Sequence, residues 1–363
     1  MNKKIAFVTS RYIDGGFSSG GIKLNYILVK ELSKLGYRID LFTDKVSSYK
    51  DKFFNKIYPL SSLNELKKEY DYILTDKGFI PSDITYIHDH SYPYRVQYMS
   101  NKLKHFLYKI FIRKKHFVRL NEYTEIKNNL QKTKKIIVSS NILKQDMIDN
   151  FGINPNNIVI IPPPIEEHEP FNKEKNPIFT FGISTVGFER KGGYILLKAI
   201  KELKKIRNDF KVIFIYSSNN FFVKLYKKLY GIEKYCEFIG IQKDINKFYN
   251  SIDCLLMPSI IEPFGMVATE ALSNGCPVIT AKHCGASDFI IDDKNGYVYD
   301  GSKNPSKELA KAMNKILSTD KNILENMSEF CINSVQNCYA KEFAKEYIKV
   351  FEIIDKENIF AEQ

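Results

Sequence analysis

The sequence predicts an α/β protein of two doubly wound domains in series. Three observations predict it. Short runs rich in Val, Ile, Leu and Phe alternate with helical patterns along the chain, as buried parallel strands between helices do. The 363 residues suit two domains of ordinary size better than one. The alternation breaks near the middle, at "PPPIEEHEPFNKEKNP" (residues 162–177), a stretch rich in Pro and Glu without periodicity that reads as a linker.

The elements follow in order. "KKIAFVTS" reads as a strand, followed by a glycine loop, the helical "IKLNYILVKELSKLGY" stopped at Gly36, and a strand at "RIDLFTD". "YDYILTD", "DITYIHD", "KKIIVSS" and "NIVIIPP" continue the first series. After the linker come "IFTFGIS", a helix from about Gly193, "FKVIFIYS", "CEFIG", "IDCLLMPS", a helix at "MVATEALSN", "CPVITA" and "GYVYD". The tail "SVQNCYAKEFAKEYIKVFEIID" is patterned as a long amphipathic helix. Two such domains are expected to leave a cleft, with ligands at strand C-termini and helix N-termini.

Composition excludes several classes. Apolar residues make up 44% of the chain and charged residues 26%, enough for two packed cores and against global disorder. No apolar run approaches the roughly eighteen residues of a membrane span. "IAFV" is too short for the core of a signal peptide. None of the six cysteines forms C-x-x-C, so reduced thiols in a cytoplasmic protein are expected rather than a disulfide or zinc framework. Residues 1–165 hold 27 Lys and Arg against 15 Asp and Glu, while the remainder holds 27 of each. The whole excess of positive charge lies in the first half, which points to an anionic partner there.

Chemistry is sought in the strand-to-helix loops. In "MPSIIEPFGMVATEALSNGCPVIT" (residues 257–280), Glu270 stands among Val267, Ala268, Ala271 and Leu272, and Glu262 precedes "PFG". Amides at the helix start lack partners and carry partial positive charge, and Gly265 allows close approach, so an anion or sugar hydroxyl suits the place. A solvated glutamate is the plain reading of Glu270. Its apolar neighbours argue for burial, and a buried carboxylate needs donors such as a pair of diol hydroxyls. Arg190 and Lys191 precede Gly192 and Gly193 and a helix, where a cation can neutralise a departing diphosphate. They also fit a solvated basic pair. The glycine loop offers Gly15, Gly16, Gly20 and Gly21, and the strand "DITYIHD" runs into His88, Asp89 and His90. No third metal ligand accompanies those histidines, and no D-x-D occurs.

The frame "EPFGMVATEALSNGCPVI", with "FYNSIDCLLMPS" before it and "CGASDFIIDDKNGYVY" after it, resembles the E-x7-E signature of retaining glycosyltransferases of the GT4 family. The resemblance runs over nearly the whole chain and is strongest from about 179 to 300. It implies the GT-B fold, two Rossmann-like domains facing across a cleft. The acceptor-side domain is expected over residues 1–165 and the nucleotide-sugar donor domain over 166–339, with a C-terminal helix of about 340–363 packing back on the first.

The resemblance further implies that Glu262 contacts the donor sugar. Phe264, Gly265, Met266 and Val267 would line the sugar–phosphate pocket, and Glu270 would hold the ribose. Lys191 and Arg190 would stabilise the leaving phosphate, Gly20 and Gly21 would approach the donor phosphate, and His88 would lie near the reaction centre with His90 as its alternative. No metal and no cofactor beyond the nucleotide-diphosphate sugar is implied. The chain departs from the family in Ile183, where many members carry Arg.

The basic run of residues 101–120, interleaved with Phe106, Leu107, Ile110, Phe111 and Phe117, suits a solvated helix or one lying on anionic lipid. Nucleic acid fits less well, since no recognition motif accompanies it. The leading expectation is a retaining glycosyltransferase acting on a glycan or lipid-linked acceptor in bacterial surface polysaccharide or lipopolysaccharide synthesis, cytoplasmic or peripheral on the inner membrane face. The alternatives are an epimerase of the same fold and a non-catalytic protein binding a membrane or partner.

Overall fold

The computed structural model describes residues 3–10, 20–45, 53–99, 113–167, 176–215, 221–240, 242 and 244–362. The chain divides into two compact units. Unit 1 comprises Met1–Glu166 and Cys338–Gln363, and unit 2 comprises Glu167–Asn337.

In unit 1 the strands are β1 (Lys4–Val8), β2 (Arg38–Phe42), β3 (Ile57–Tyr58), β4 (Tyr72–Asp76), β5 (Ile84–Ile87), β6 (Lys135–Val138) and β7 (Ile158–Ile160). They form one sheet in the order β3-β2-β1-β4-β5-β6-β7, and every pairing is parallel. Besides a single turn at Leu63–Leu66 and a π-helical turn at Met147–Phe151, the helices among the described residues are α1 (Gly20–Lys34), α2 (Tyr92–Met99), α3 (Arg113–Leu130) and α4 (Asn141–Asp146). The expected strands are present. β3, only two residues long, gives no sequence signal and was not among them. Gly20 and Gly21 are the first residues of α1 rather than a loop ahead of it.

In unit 2, β8 (Phe179–Ser184), β9 (Phe210–Ile215), β10 (Cys236–Phe238), β11 (Cys254–Met257), β12 (Val278–Ala281) and β13 (Gly296–Tyr299) form a second sheet. Its order is β10-β9-β8-β11-β12-β13, again with every pairing parallel. Its helices are α5 (Gly193–Leu203), α6 (Phe221–Tyr230), α7 (Ile245–Asn250), α8 (Met266–Ser273), α9 (Pro305–Leu317) and α10 (Lys321–Ser334). Order reverses beside β1 in unit 1 and beside β8 in unit 2. Such switch points place strand C-termini and helix N-termini around a crevice.

The last helix, α11 (Ala340–Glu362), belongs to unit 1. Its Phe343, Tyr347, Val350, Phe351 and Ile354 share one core with Ile5, Leu24, Leu28 and Tyr72. The Phe351 ring stacks on Tyr72 at 4.3 Å. Residues 101–112 of the basic run lie outside the described residues, as do Gly15 and Gly16. No helix among the described residues is long and apolar enough to cross a membrane.

Candidate functional site

The residues expected to meet the donor collect in two loops of unit 2. The first leaves β8 and carries Arg190 and Lys191 to the start of α5. The second leaves β11 and carries Glu262 to the start of α8. They are stitched together by the backbone: Ile260 N–H donates to Arg190 O at 2.9 Å. Gly192 makes this approach possible. Its φ is +76°, and a Cβ built there would lie 1.8 Å from Pro258 O. Only glycine meets both conditions.

The second loop is pinned from its other side. Gly285 N–H donates to Glu262 O at 3.0 Å and Ala286 N–H to Phe264 O at 2.6 Å. Gly265 sits at φ +96°, where a Cβ would lie 2.6 Å from Met257 Sδ. It turns the chain into α8 and leaves Phe264 buried, with its ring edge-on to Phe289. The amides of Met266 and Val267 stand in the first turn of α8, where no intrahelical acceptor exists.

Glu262 brings the two loops' charges together. Its Oε2 accepts from Lys191 Nζ and from Arg190 Nη1 at 3.3 Å. The Glu262 and Lys191 side chains are 11% and 14% exposed and that of Arg190 is 46%. Two cations are thus held side by side next to the α8 N-terminus, one sheltered and one open to a ligand. Ile183 lies inside β8, buried, so this position supplies no further cation.

Glu270 corrects an expectation. It is half-buried rather than buried, and its Oε2 accepts from the hydroxyl of Tyr249 at 2.9 Å. Tyr249 stands on α7 and is itself buried. The donor that lets Glu270 sit among apolar residues is therefore partly the protein's own. Tyr249→Phe is expected to cost about 1.5–3 kcal/mol, the net value of a hydrogen bond to a charged group, read from the urea midpoint of unit 2.

In unit 1, His88 directly follows the last residue of β5. The ring lies beside a cavity of about 280 Å³ lined by Lys77, Arg95, Arg119, Tyr123 and Phe151 among others. His88 Nδ1 is buried without a hydrogen-bond partner. Burial, with Lys77 and Arg95 nearby, pushes its pKa from the usual 6.5 down to about 4, so the ring is neutral at pH 7. His90 is engaged differently. Its Nδ1 meets Asp146 Oδ2 at 3.0 Å, and its ring stacks on Tyr94 at 3.9 Å. Asp146 also accepts from Ser91 and Asn150. Burial opposes its ionisation, but these bonds outweigh burial and hold its pKa below the usual range. His90 is thus fixed to the loop through Nδ1, and each histidine keeps one buried ring nitrogen without a hydrogen-bond partner, Nδ1 in His88 and Nε2 in His90.

The His88 shift has a sign that can be measured. Between about pH 6.5 and 4 the unfolded chain binds the proton more readily than the folded one. Stability contributed by keeping His88 neutral is then complete above 6.5 and is lost as pH falls through that window. The His88 ring resonance in an NMR titration is expected to stay fixed from pH 8 to 6 and to move only as pH approaches 4.

Among the described residues no group of three His, Cys, Asp or Glu side chains is placed to hold a metal ion. Residues 165–333, which contain both loops, match the model of the family described as "Glycosyl transferases group 1".

Residues 165–333 belong to the glycosyl transferases group 1 family.

A curated relative, the lipopolysaccharide 1,2-N-acetylglucosaminetransferase of Salmonella typhimurium, is 33% identical over 118 residues, 30% of this chain and 31% of that protein. The crystal structure of WaaG, a glycosyltransferase involved in lipopolysaccharide biosynthesis, superposes with a TM-score of 0.69 at 18% identity, covering 96% of this chain and 99% of that one. Anabaena HepE in complex with UDP gives 0.70 at 16% identity, covering 96% and 99%. These likenesses show the fold, the pair of Rossmann-like units of the GT-B glycosyltransferases. The chain spans 31% to 59% of the length of curated relatives it matches.

Proposed function

We propose that this glycosyl transferases group 1 chain moves a sugar from a nucleotide-diphosphate donor to a hydroxyl of a glycan or lipid-linked acceptor, with retention of anomeric configuration. The observation that carries the reading is the convergence of Lys191 and Arg190 on Glu262 at the α8 N-terminus. A diphosphate placed there meets two cations and free helix amides, which supply the charge that a leaving phosphate needs without a metal. In bond terms, the bond from anomeric carbon to phosphate oxygen breaks, its electron pair stays on the diphosphate, and the acceptor oxygen bonds the same carbon. We assign the acceptor proton to the departing phosphate oxygen.

Within this reading Glu262 holds Lys191 and Arg190 ready and faces the sugar, and Phe264, Gly265, Met266 and Val267 line the sugar–phosphate pocket. Glu270 shares its carboxylate between Tyr249 and a ribose hydroxyl. In unit 1, His88 offers its open nitrogen to reacting groups, and Gly20 and Gly21 offer the first amides of α1 to phosphate. HepE was crystallised with UDP, which favours a uridine donor. The names of the Salmonella relative and of WaaG support a role in lipopolysaccharide or surface polysaccharide synthesis. We infer a place on the cytoplasmic side of the membrane, whose anionic face would meet the basic run of residues 101–120.

Calorimetric titration with UDP, GDP and ADP tests the donor site, with UDP expected to bind. If none of the three binds at millimolar concentration, the donor reading fails. The anomeric proton coupling of the transferred sugar tests retention.

A further inference from the structure

Helix α6, Phe221–Tyr230, is packed on one side only. Val223 is buried, and Tyr226 lies against Tyr194 of α5 with ring centroids 5.4 Å apart. The opposite side is apolar as well. At about 100° per residue, Phe221, Phe222, Leu225 and Leu229 fall on one arc of roughly a quarter-turn. They are 71%, 60%, 39% and 68% exposed. Single exposed hydrophobic residues are ordinary, but four on one face of one helix are not.

Along one border of the arc lie Lys224 and Lys228, both exposed. Lys227, on the packed side, reaches over the Phe238 ring at 4.5 Å. The sequence of the helix, FFVKLYKKLY, contains no acid.

We propose that this face of α6 is a docking surface for an anionic lipid bilayer. Phe221, Phe222, Leu225 and Leu229 enter the boundary between headgroups and acyl chains, and Lys224 and Lys228 stay with the phosphates. Apolar area with basic residues at its edge is the composition that holds a helix in that plane. A second copy of the chain fits the face poorly. One short helix face falls below the roughly 800 Å² per partner of a stable interface. The surface belongs to unit 2 and is separate from the basic run of residues 101–120. It requires nothing of the transfer reaction, so it stands or falls apart from the proposed activity.

The chain has no tryptophan, so Phe222→Trp places a single fluorescent reporter on the face. With vesicles of phosphatidylcholine containing a third phosphatidylglycerol, its emission is expected to shift to the blue and the protein to float with the vesicles. Both effects should weaken in high salt and largely vanish with pure phosphatidylcholine. Replacing Phe221, Phe222 and Leu229 together by Ser removes exposed side chains only, and an unchanged melting temperature verifies the fold. That variant is expected to lose about tenfold or more of vesicle partitioning. The proposal is overturned by indole emission that stays water-like with anionic vesicles, or by a triple variant that partitions like the parent. A blue shift that grows with protein concentration in the absence of lipid assigns the face to a second copy and overturns it equally.

Discussion

Lys191→Ala is expected to lower sugar transfer by about 10²–10³ in kcat, the usual consequence of removing one preorganised group that stabilises a developing anion. The site geometry lets this effect be separated from loss of structure. Lys191 and Arg190 share one carboxylate oxygen of Glu262. Breaking a fully buried ion pair costs about 3–5 kcal/mol because a charge is left uncompensated. Here Arg190 remains at 3.3 Å and neither partner of the Lys191 pair is fully buried. The stability loss should therefore be smaller, about 1–2 kcal/mol.

Adding Glu262→Gln to Lys191→Ala removes the carboxylate charge that Lys191→Ala leaves only partly balanced by Arg190. The double variant should regain most of the stability and none of the activity. Denaturant midpoints and initial rates of donor consumption, measured on the four proteins of the cycle, decide it. Unimpaired transfer by Lys191→Ala would remove Lys191 from the chemistry, and rates that merely follow stability would make its role structural.

Why the sequence shows some of this and not the rest is a question of range. A buried parallel strand announces itself locally, because both faces are covered and each run must be apolar throughout. "IDCLLMPS" and "CPVITA" needed no partner to be read as β11 and β12. The turn glycines were equally local: Gly192 and Gly265 stand where a strand-to-helix loop must bend. The pairing of Lys191 with Glu262 spans 71 residues and depends on how two loops are stitched. No periodicity carries that information. The Tyr249 hydroxyl escaped notice for the same reason, and the apolar neighbours of Glu270 alone suggested more burial than it has.

The α6 face shows the opposite failure. Its composition is visible in "FFVKLYKKLY", but which side of an apolar helix is covered depends on α5 behind it. The longer basic run of residues 101–120 drew the membrane expectation instead.

The division of the chain has the largest energetic consequence. Ending the polypeptide at Tyr339 is expected to unfold unit 1 and spare unit 2. Helix α11 is remote in sequence from everything else in unit 1, yet Phe343, Tyr347, Val350, Phe351 and Ile354 are all essentially inaccessible to solvent. At about 1.5–3 kcal/mol for each buried large side chain, the five contribute on the order of 10 kcal/mol. That is comparable with the roughly 5–15 kcal/mol by which a domain is stable at all. Truncation also removes Asp355, which pairs with Lys3 and accepts from the Tyr72 hydroxyl at 2.8 Å. The face of Tyr72 under Phe351 would meet water.

Phe351→Ala gives the graded form of the experiment, with an expected loss of about 3–5 kcal/mol confined to unit 1. Amide hydrogen exchange read strand by strand is the measurement. Protection should collapse in β1, β2 and β4 and persist in β8, β11 and β12. Equal loss in both sheets would mean that the units fold as one cooperative body. Retained protection in β1 would mean that the first 166 residues hold a core without α11. The expected outcome makes the last 24 residues a structural condition for His88 to be held where it is, since His88 directly follows β5 of the sheet that α11 covers.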